Sequence, residues 1–243
     1  MYKSNNQDST DARMNLLLAS LSKTEFKRIL PHLQLVNILQ GKCLSESGEQ
    51  ISFVYFPTTA IVSLLYTIEN GSTGEVALVG NDGVVGITAF MGGKTTLNRT
   101  IVLSSGYAFK LSEAYLRAEF NRYKPFQQLL LRYTMALFAQ TTQTAACNRY
   151  HTVDQQLCRW LLLSLDRLPS NELFMTQELI ANMLGVRRAG VTVAAKNLQE
   201  SGLITYHRGH ITILDRQGLE ERVCECYGIV KKEIARLFEI SIE

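Results

Sequence analysis

Residues 176–213 constrain the fold of this chain more than any other stretch. They read TQELIANMLGVRRAGVTVAAKNLQESGLITYHRGHITI. Two short helical segments flank a glycine turn, a further helical run continues from them, and a small hairpin of alternating residues closes the stretch. This order and spacing predict a winged helix-turn-helix, which is a DNA-binding element.

Residue size at fixed offsets supports that prediction. Thr176 is placed to cap the first helix. Ile180 and Leu184 lie four residues apart and therefore share one face of that helix. Ala181 is small enough to let the next helix cross closely. Gly185 stands where the chain must turn sharply, a position at which glycine has no Cβ penalty.

The second helix has one apolar and one basic side. We expect Val186, Val191 and Ala194 to be buried. An arginine at the start of a recognition helix can bind guanine O6 and N7 with both ends of its guanidinium, whereas a lysine further along is better placed for a phosphate. The turn Arg208-Gly209 joins the strands of the wing and offers another phosphate contact. The predicted DNA-contacting residues are Thr176, Gln177, Arg187, Arg188, Thr192, Lys196 and Arg208.

Helix-turn-helix spacings also arise by chance, and many ordinary helix pairs carry surface arginines. Here the glycine turn, the buried-type positions, the basic residues and the hairpin occur together, which favours the DNA-binding interpretation. Local charge agrees with it. From Met183 to His210 there are four basic residues and one acid, although the net charge of the whole chain is only +3.

Composition fits a folded protein of one or two domains. The chain has 243 residues, of which 46% are hydrophobic and 19% are charged. No apolar run approaches the ~20 residues of a membrane-spanning helix. The first 14 residues contain no apolar core, so we expect no signal peptide and a cytoplasmic location.

The five cysteines are scattered: Cys43, Cys147, Cys158, Cys224 and Cys226. An odd, scattered set in a protein expected in the cytoplasm argues against a disulfide framework. Cys224-x-Cys226 has no second pair beside it in the sequence. Reduced structural thiols are therefore the main expectation, and a redox or metal role is the alternative. We predict no metal site and no cofactor.

The residue pattern of the N-terminal half changes from helical to strand-like along the chain. Residues 12–39 have a helical apolar side that Pro31 interrupts. From about Val36 to Leu111, short runs rich in Val, Ile, Phe and Tyr alternate with turn residues, which favours an all-β sandwich or barrel. The predicted strands are Phe53–Phe56, Ile61–Tyr66, Gly74–Val79, Asn98–Leu103 and Tyr107–Leu111.

A long helical stretch follows the strands. It begins near Ser112, is interrupted at Pro125 and continues to about Arg149. A helix of ~25 residues is about 37 Å long, which is long for packing on one small β domain. We expect the remainder to form a dimer seam; packing only within its own subunit is the alternative.

The remaining segments complete the C-terminal part. A hinge is expected at His151–Asp154. An amphipathic helix over Val153–Leu168 would support the helix-turn-helix from behind, and Pro169 ends it. After the wing, a helix runs from Gln217 toward Phe238 and would cover the domain or form a second packing surface.

In its order of elements the chain resembles the Crp/Fnr superfamily of bacterial transcription regulators over nearly all of its length. The segment VRRAGVTVAAKNLQESGLI resembles the family's recognition helix and following strand. VYFPTTAIVSLL, EVALVGNDGVVGITAFMGG, and RGHITILDRQGLE followed by CECY are similar to a branch with a degenerate cyclic-nucleotide-binding domain. The resemblance implies an α+β fold, with an N-terminal cyclic-nucleotide-binding-like β roll as effector domain (12–122), a long dimerisation helix (123–152) and a C-terminal winged helix-turn-helix (153–243).

The resemblance also implies partners. Family members bind double-stranded DNA as homodimers through paired recognition helices; RNA polymerase is a candidate further partner, and a membrane is not expected. Arg188 matches the family's base-reading arginine, with Arg187 and Thr192 beside it. Ala189 stands where the best-known members have a glutamate, and Val193 stands where they have a second arginine. The familiar operator should therefore not be assumed.

The nucleotide pocket departs further from the family. Members that bind cyclic AMP use a glycine-glutamate pair for the ribose hydroxyl and an arginine, followed by Ser or Thr, for the cyclic phosphate. Here Gly86 is followed by Ile87, whereas Arg99-Thr100 keeps the second half. An isoleucine accepts no hydrogen bond, and losing a buried one costs about 1–3 kcal/mol. A cyclic nucleotide is therefore disfavoured. The candidate effector-binding residues are Gly86, Arg99 and Thr100, for an unknown small molecule; a protein partner or no ligand is the alternative.

No motif for catalysis stands out in the sequence. Nucleophile elbows, phosphate loops, HExxH motifs and dinucleotide fingerprints are missing. His207 and His210 flank the wing turn without a nearby acid or cysteine, so we assign no catalytic residue and do not expect an enzyme. We predict a sequence-specific DNA-binding transcription regulator. A ligand-binding or protein-interaction module without DNA binding is the alternative, which Val193 and the low net charge motivate.

Overall fold

The computed structural model describes residues 11–122 and 124–239. The first ten residues, on which the expectation about a signal peptide rests, lie outside the described residues. So do residue 123 and residues 240–243, at the ends of predicted domain ranges. Within the described ranges, no helix combines the length and the apolar character needed to cross a bilayer.

The structure is α+β, as predicted. The helices are α1 Leu16–Ala19, α2 Lys23–Ile29, α3 Glu113–Arg122, α4 Lys124–Tyr150, α5 Val153–Leu165, α6 Gln177–Leu184, α7 Arg188–Glu200, α8 Arg216–Arg222 and α9 Glu225–Glu239. The strands are β1 Gln34–Ile38, β2 Cys43–Ser45, β3 Phe53–Pro57, β4 Ile61–Thr67, β5 Thr73–Val79, β6 Arg99–Ser104, β7 Gly106–Ser112, β8 Glu172–Phe174, β9 Ile204–His207 and β10 His210–Ile213. Each of the five predicted strands is present to within one residue at either end.

The N-terminal strands form a β roll of two antiparallel sheets, ordered β1-β7-β3 and β2-β6-β4-β5. Alternate residues of both sheets face one shared core, because successive side chains of a strand point to opposite sides. Helices α1 and α2 and the first half of α4 close that core. Its most buried members include Val54, Phe56, Val62, Val102, Phe126 and Leu130.

Three predicted helices are wrong in extent. Helix α5 ends at Leu165, three residues before the predicted end at Leu168. The N-terminal helical region ends with a 3-10 turn at Leu30–His32, and the next residues form β1, which pairs with β7. A free strand edge thus overrides the local helical periodicity. The C-terminal helix is two helices, α8 and α9, because the backbone of Val223 is extended between them.

The long helical stretch is also interrupted, as predicted. Helix α3 ends at Arg122 and α4 starts at Lys124. Pro125 lies in the first turn of α4, where its missing N–H removes no helical hydrogen bond. One side of α4, with Leu130, Tyr133 and Leu137, packs into the core of the roll.

The C-terminal half has a second core. Helix α5 is buried on nearly every side, with Trp160 at its centre, and β8-β10-β9 form the sheet of the wing. Ile61, Leu65 and Leu103 of the β roll belong to the same hydrophobic cluster. The winged helix-turn-helix therefore packs directly on the roll. A short break separates α4 from α5 at the place of the predicted hinge, and Thr152 caps α5 there.

Candidate nucleic-acid interface

Helices α6 and α7 form the predicted helix-turn-helix. The side chain of Thr176 accepts a hydrogen bond from the backbone N–H of Leu179 and so caps α6. Gly185 ends α6 with a left-handed backbone (φ +66°). The N–H of Val186 then donates to the carbonyl of Ala181 at 3.0 Å, which closes the turn. The sequence signals for this turn are confirmed.

Helix α7 has a buried and an exposed face. Val191, Ala194 and Leu198 are fully buried against α5 and α6. Arg187 precedes the first turn and makes no side-chain cap, which leaves the first N–H groups of α7 without that partner. The exposed face carries Arg187, Arg188, Thr192, Val193 and Lys196.

Two of the predicted contacts bind each other across the helix pair. Thr192 Oγ1 lies 2.8 Å from Gln177 Oε1 and donates to it. The same hydroxyl lies 3.1 Å from the carbonyl oxygen of Arg188. This contact fixes the side chain of Gln177 against α7, so that both residues present polar atoms at one edge of the exposed face.

Among the basic residues on the exposed face of α7, Lys196 lies furthest from the start of the helix. Its Nζ lies 3.5 Å from Glu200 Oε1, one turn further along the helix, and both side chains are exposed. Exposed ion pairs of this kind are weak and are screened by salt. Lys196 is therefore free to exchange this partner for a phosphate.

The wing turn is strained at its tip. Strands β9 and β10 pair with His207 opposite His210, so that Arg208 and Gly209 alone form the turn. Both have positive φ angles, +48° and +88°, which is the geometry of a type I′ turn. An arginine in the left-handed region costs of order 1 kcal/mol. His210 also packs edge-on against the ring of Phe174 from β8.

A cavity of about 340 Å³ lies between the β roll and α4. This size is within the ~300–1,000 Å³ of small-molecule sites. Most of the surface that lines the cavity is apolar. Residues that line it include Gly86, Thr100, Leu64, Ile87, Leu137 and Phe138. Two of the three candidate effector residues therefore border it. Four residues of α4, which the sequence did not indicate, complete its wall: Thr134, Leu137, Phe138 and Thr141.

The third candidate, Arg99, has a different partner. Its Nε lies 3.1 Å from Glu46 Oε1, in a half-exposed ion pair. Arg99 does not line the cavity, and Ile87 replaces the glutamate of cyclic-nucleotide binders. The cavity thus presents neither of the two polar side chains that the resemblance assigns to a cyclic nucleotide.

The comparisons with known proteins agree with this geometry. Residues 155–222 match the family model of the Crp-like helix-turn-helix domain. The chain therefore contains a Crp-like helix-turn-helix domain in its C-terminal part.

Several bacterial proteins of known structure have this fold. A protein described as a Crp/Fnr-family transcriptional regulator from Eubacterium rectale superposes with a TM-score of 0.67 at 18% identity, over 86% of this chain and 98% of the other. FixK2 from Bradyrhizobium japonicum gives 0.66 at 15% identity, over 79% and 98%. A Crp-family regulator from Thermus thermophilus gives 0.65 at 16%, over 77% and 95%. No curated protein sequence matches the chain with significance.

Three cysteines and one histidine that are dispersed in the sequence meet in the structure. Cys147 and His151 lie at the end of α4, and Cys224 and Cys226 lie at the start of α9. Their ligand atoms are all within 4.8 Å of one another. The group was not predicted, because two of its members lie far along the chain from the other two. The spacings Cys147-x3-His151 and Cys224-x-Cys226 were the available signal.

Proposed function

We propose that this chain is a sequence-specific transcription regulator that binds double-stranded DNA in the cytoplasm as a homodimer. The observation that carries the proposal is the position of Arg187 and Arg188 at the start of α7. Both are exposed, while the opposite side of the helix is fully buried. A helix held rigidly by its apolar side, with arginines directed to solvent, suits the major groove in shape and in charge.

The neighbouring groups supply contacts for the DNA backbone. Arg208 at the wing tip and Lys196 on α7 are exposed cations at two edges of the same surface. Thr176 and Gln177 open α6, where N–H groups of the helix terminus favour a phosphate. Such contacts fix the register of a protein on the duplex, while Arg188 reads base edges.

An unpartnered seam on α4 supports the homodimer. Leu131, Met135 and Phe138 are large exposed apolar residues, of which Met135 is 66% exposed and Phe138 64%. Thr142 and Ala145 continue the line, so the spacing alternates between four and three residues, as in a coiled-coil seam. A second copy of α4 would cover this seam. Pairing about a two-fold axis would place the recognition helices for half-sites about 34 Å apart.

We further propose that the cavity beside α4 binds an apolar small molecule as effector. Its lining is mostly apolar and includes Leu137 and Phe138. Phe138 also belongs to the seam, so a ligand in the cavity would contact the side chain that faces the second subunit. A cyclic nucleotide would find neither the glutamate nor a free arginine for its ribose and phosphate. We assign no catalytic residue to the chain.

Selection from a random duplex library tests the function. The full-length protein should enrich an inverted repeat, and its affinity should fall steeply as salt rises, because phosphate contacts release counterions. The selection is run with and without the low-molecular-weight fraction of a cell extract, which supplies effectors. No binding at ~50 mM salt in either condition would overturn the proposal and favour an interaction module without DNA binding.

A further inference from the structure

The junction between the two halves of the chain contains a compact group of metal-ligating side chains. Cys147 and His151 are four residues apart on α4 and share a face. Cys224 and Cys226 stand at the start of α9. Cys147 Sγ lies 3.6 Å from Cys224 Sγ, and Cys226 Sγ lies 3.6 Å from His151 Nδ1. We refer to these four residues as the Cys3His cluster.

We propose that the Cys3His cluster binds one Zn²⁺ ion in tetrahedral coordination. Zinc in protein sites has Zn–S distances of about 2.3 Å and Zn–N distances of about 2.0–2.1 Å. The edge of a tetrahedron is about 1.6 times the metal–ligand distance, which gives about 3.8 Å between two sulfurs and about 3.5 Å between sulfur and nitrogen. The two distances of 3.6 Å are close to these edges.

The same distances distinguish a metal site from a disulfide. A disulfide has an S–S distance of about 2.05 Å, and Cys147 and Cys224 are free thiols 3.6 Å apart. The three cysteines are buried, with Cys147 wholly inaccessible to solvent. Four protein ligands in a buried place describe a closed structural site, because a catalytic zinc keeps one position open for water.

The surroundings of His151 fit zinc coordination. Its Nδ1 faces the sulfurs, while its Nε2 lies 3.4 Å from Glu225 Oε2. With Nδ1 bound to the metal, Nε2 carries the proton and donates a hydrogen bond to the carboxylate. Metal-bound histidines very often make this second contact, which fixes the tautomer and the ring orientation. Gln156 also donates to the carbonyl of His151 at 2.9 Å.

The charge around the Cys3His cluster is also suitable. Zinc with three thiolates and a neutral imidazole has a net charge of −1. Arg159 is buried nearby, where it donates to Thr144 Oγ1 one helical turn before Cys147.

The ligands bracket the helix-turn-helix domain. Two of them precede the matched range 155–222 and two follow it. A bound zinc therefore closes the chain around this domain and fixes α9 to the end of α4, next to the break at Thr152. Since binding energy at such a site is also folding energy, the metal would stabilise the domain and its position on the roll. The effect on DNA binding rests on the proposed function, whereas metal binding itself does not.

Elemental analysis of the full chain, purified without added metal or chelator, tests the proposal. We expect about one zinc per chain in the wild type and almost none in Cys226→Ser or His151→Ala. Cys43→Ser is the matched control, because Cys43 lies outside the cluster, and it should keep its zinc. Cys226→His keeps a zinc ligand at that place and should retain most of the metal, which separates loss of a ligand from misfolding.

Spectroscopy and melting supply readouts that require no DNA. Exchange of zinc for Co²⁺ should give the intense visible bands of tetrahedral cobalt and thiolate-to-metal charge transfer in the near ultraviolet. A chelator should lower the melting temperature of the wild type and of Cys43→Ser, but not of Cys226→Ser. Wild-type protein that holds no zinc after purification and dialysis against Zn²⁺ would overturn the proposal. So would iron with acid-labile sulfide, a Cys147–Cys224 disulfide, or equal metal loss in Cys43→Ser.

Discussion

Arg167 and Asp82 form a bidentate ion pair across the boundary between the β roll and the winged helix-turn-helix. Arg167 Nη2 lies 2.8 Å from Asp82 Oδ2, and its Nε donates to Oδ1 at 3.1 Å. The arginine follows α5, and the aspartate lies in the loop after β5. The side chain of Arg167 is only 2% exposed, and its Nη1 donates to the carbonyl of Leu163. The pair therefore fixes one half of the molecule to the other.

Removing one partner of this pair should be costly. Asp82→Ala leaves a buried guanidinium without its counterion, for which we expect a loss of about 3 kcal/mol or more in the free energy of unfolding. Urea denaturation measures it. Glu233→Ala breaks the exposed pair with Arg236 and should cost less than about 1 kcal/mol. If the free energy of unfolding falls by the same small amount in both variants, the Arg167–Asp82 pair contributes no more to stability than a surface pair.

Glu75 makes the same interface sensitive to pH. It lies on β5, where Ser63 donates to its Oε2 at 2.6 Å and Met183 of α6 packs beside that hydroxyl. Burial raises the pKa of Glu75 to about 7, against the opposing effects of the Ser63 hydrogen bond and of Arg159 and Arg167. The carboxyl is therefore poised to change charge near neutral pH.

Proton binding to Glu75 determines whether the folded state gains or loses stability as pH rises. Between pH 4.5 and about 7 the folded chain retains a proton on Glu75 that the unfolded chain has released. Stability contributed by this group therefore falls as pH rises through that window, by about 3 kcal/mol at most, and levels off above it. Glu75→Gln should abolish this pH-dependent loss of stability. The melting temperature of the variant should therefore rise relative to that of the wild type between pH 5 and pH 8. A constant difference between the two proteins at all pH values would contradict this.

Arg188 should contribute to base recognition. Arg188→Ala is expected to lower specific binding by roughly 1–3 kcal/mol and to relax the preference at one base of each half-site. Competition gel shifts with single-base variants of the selected site measure both effects. Arg117→Ala, on α3 and outside the proposed interface, is the matched control and should bind as the wild type does. Unchanged selectivity in Arg188→Ala would count against a base-reading role.

Replacing Arg208 should have opposite effects on the stability of the wing and on DNA binding. Asparagine tolerates the left-handed backbone, so Arg208→Asn should stabilise the wing turn by about 1 kcal/mol. The same change removes a cation from the wing tip, which should weaken DNA binding and reduce the slope of log affinity against log salt by about 0.9. Arg208→Lys keeps the charge and should keep the slope. A slope that is the same in all three proteins would place Arg208 outside the DNA contacts.

Local signals explain which parts of the structure were predictable. The cap at Thr176, the turn at Gly185 and the alternation of the wing are set by residues close in the chain, so the sequence predicts the helix-turn-helix almost residue by residue. The β roll was predictable as strands between turns. Its closure by β1 was not, because that strand forms only where β7 offers a free edge.

The sites built from distant segments were not predictable in the same way. Cys147 and Cys224 are 77 residues apart, and they meet because α9 packs on α4 after the break at Val223. The cavity wall depends in the same way on where α4 crosses the roll, which brings Leu137 and Phe138 to Ile87. Residue types alone indicated that a cyclic nucleotide loses a partner at Ile87, but they did not reveal an apolar chamber.

The exposed seam on α4 gives the sharpest prediction for assembly. Met135 is the middle one of the three large apolar residues of the seam and is 66% exposed. Met135→Asp would bring two like charges together in an apolar contact between two copies of α4, so we expect a monomer at micromolar concentrations in analytical ultracentrifugation. Affinity for an inverted repeat should fall by roughly tenfold or more, because two linked half-sites bind more tightly than one.

Ile68→Asp is the matched control for that experiment. Ile68 is a comparably exposed apolar residue, but it lies in the loop between β4 and β5, away from the seam. The control should remain dimeric and should bind the repeat as the wild type does. If Met135→Asp also remains dimeric with a normal sedimentation profile, the subunits associate through another surface, and the seam on α4 has a different partner.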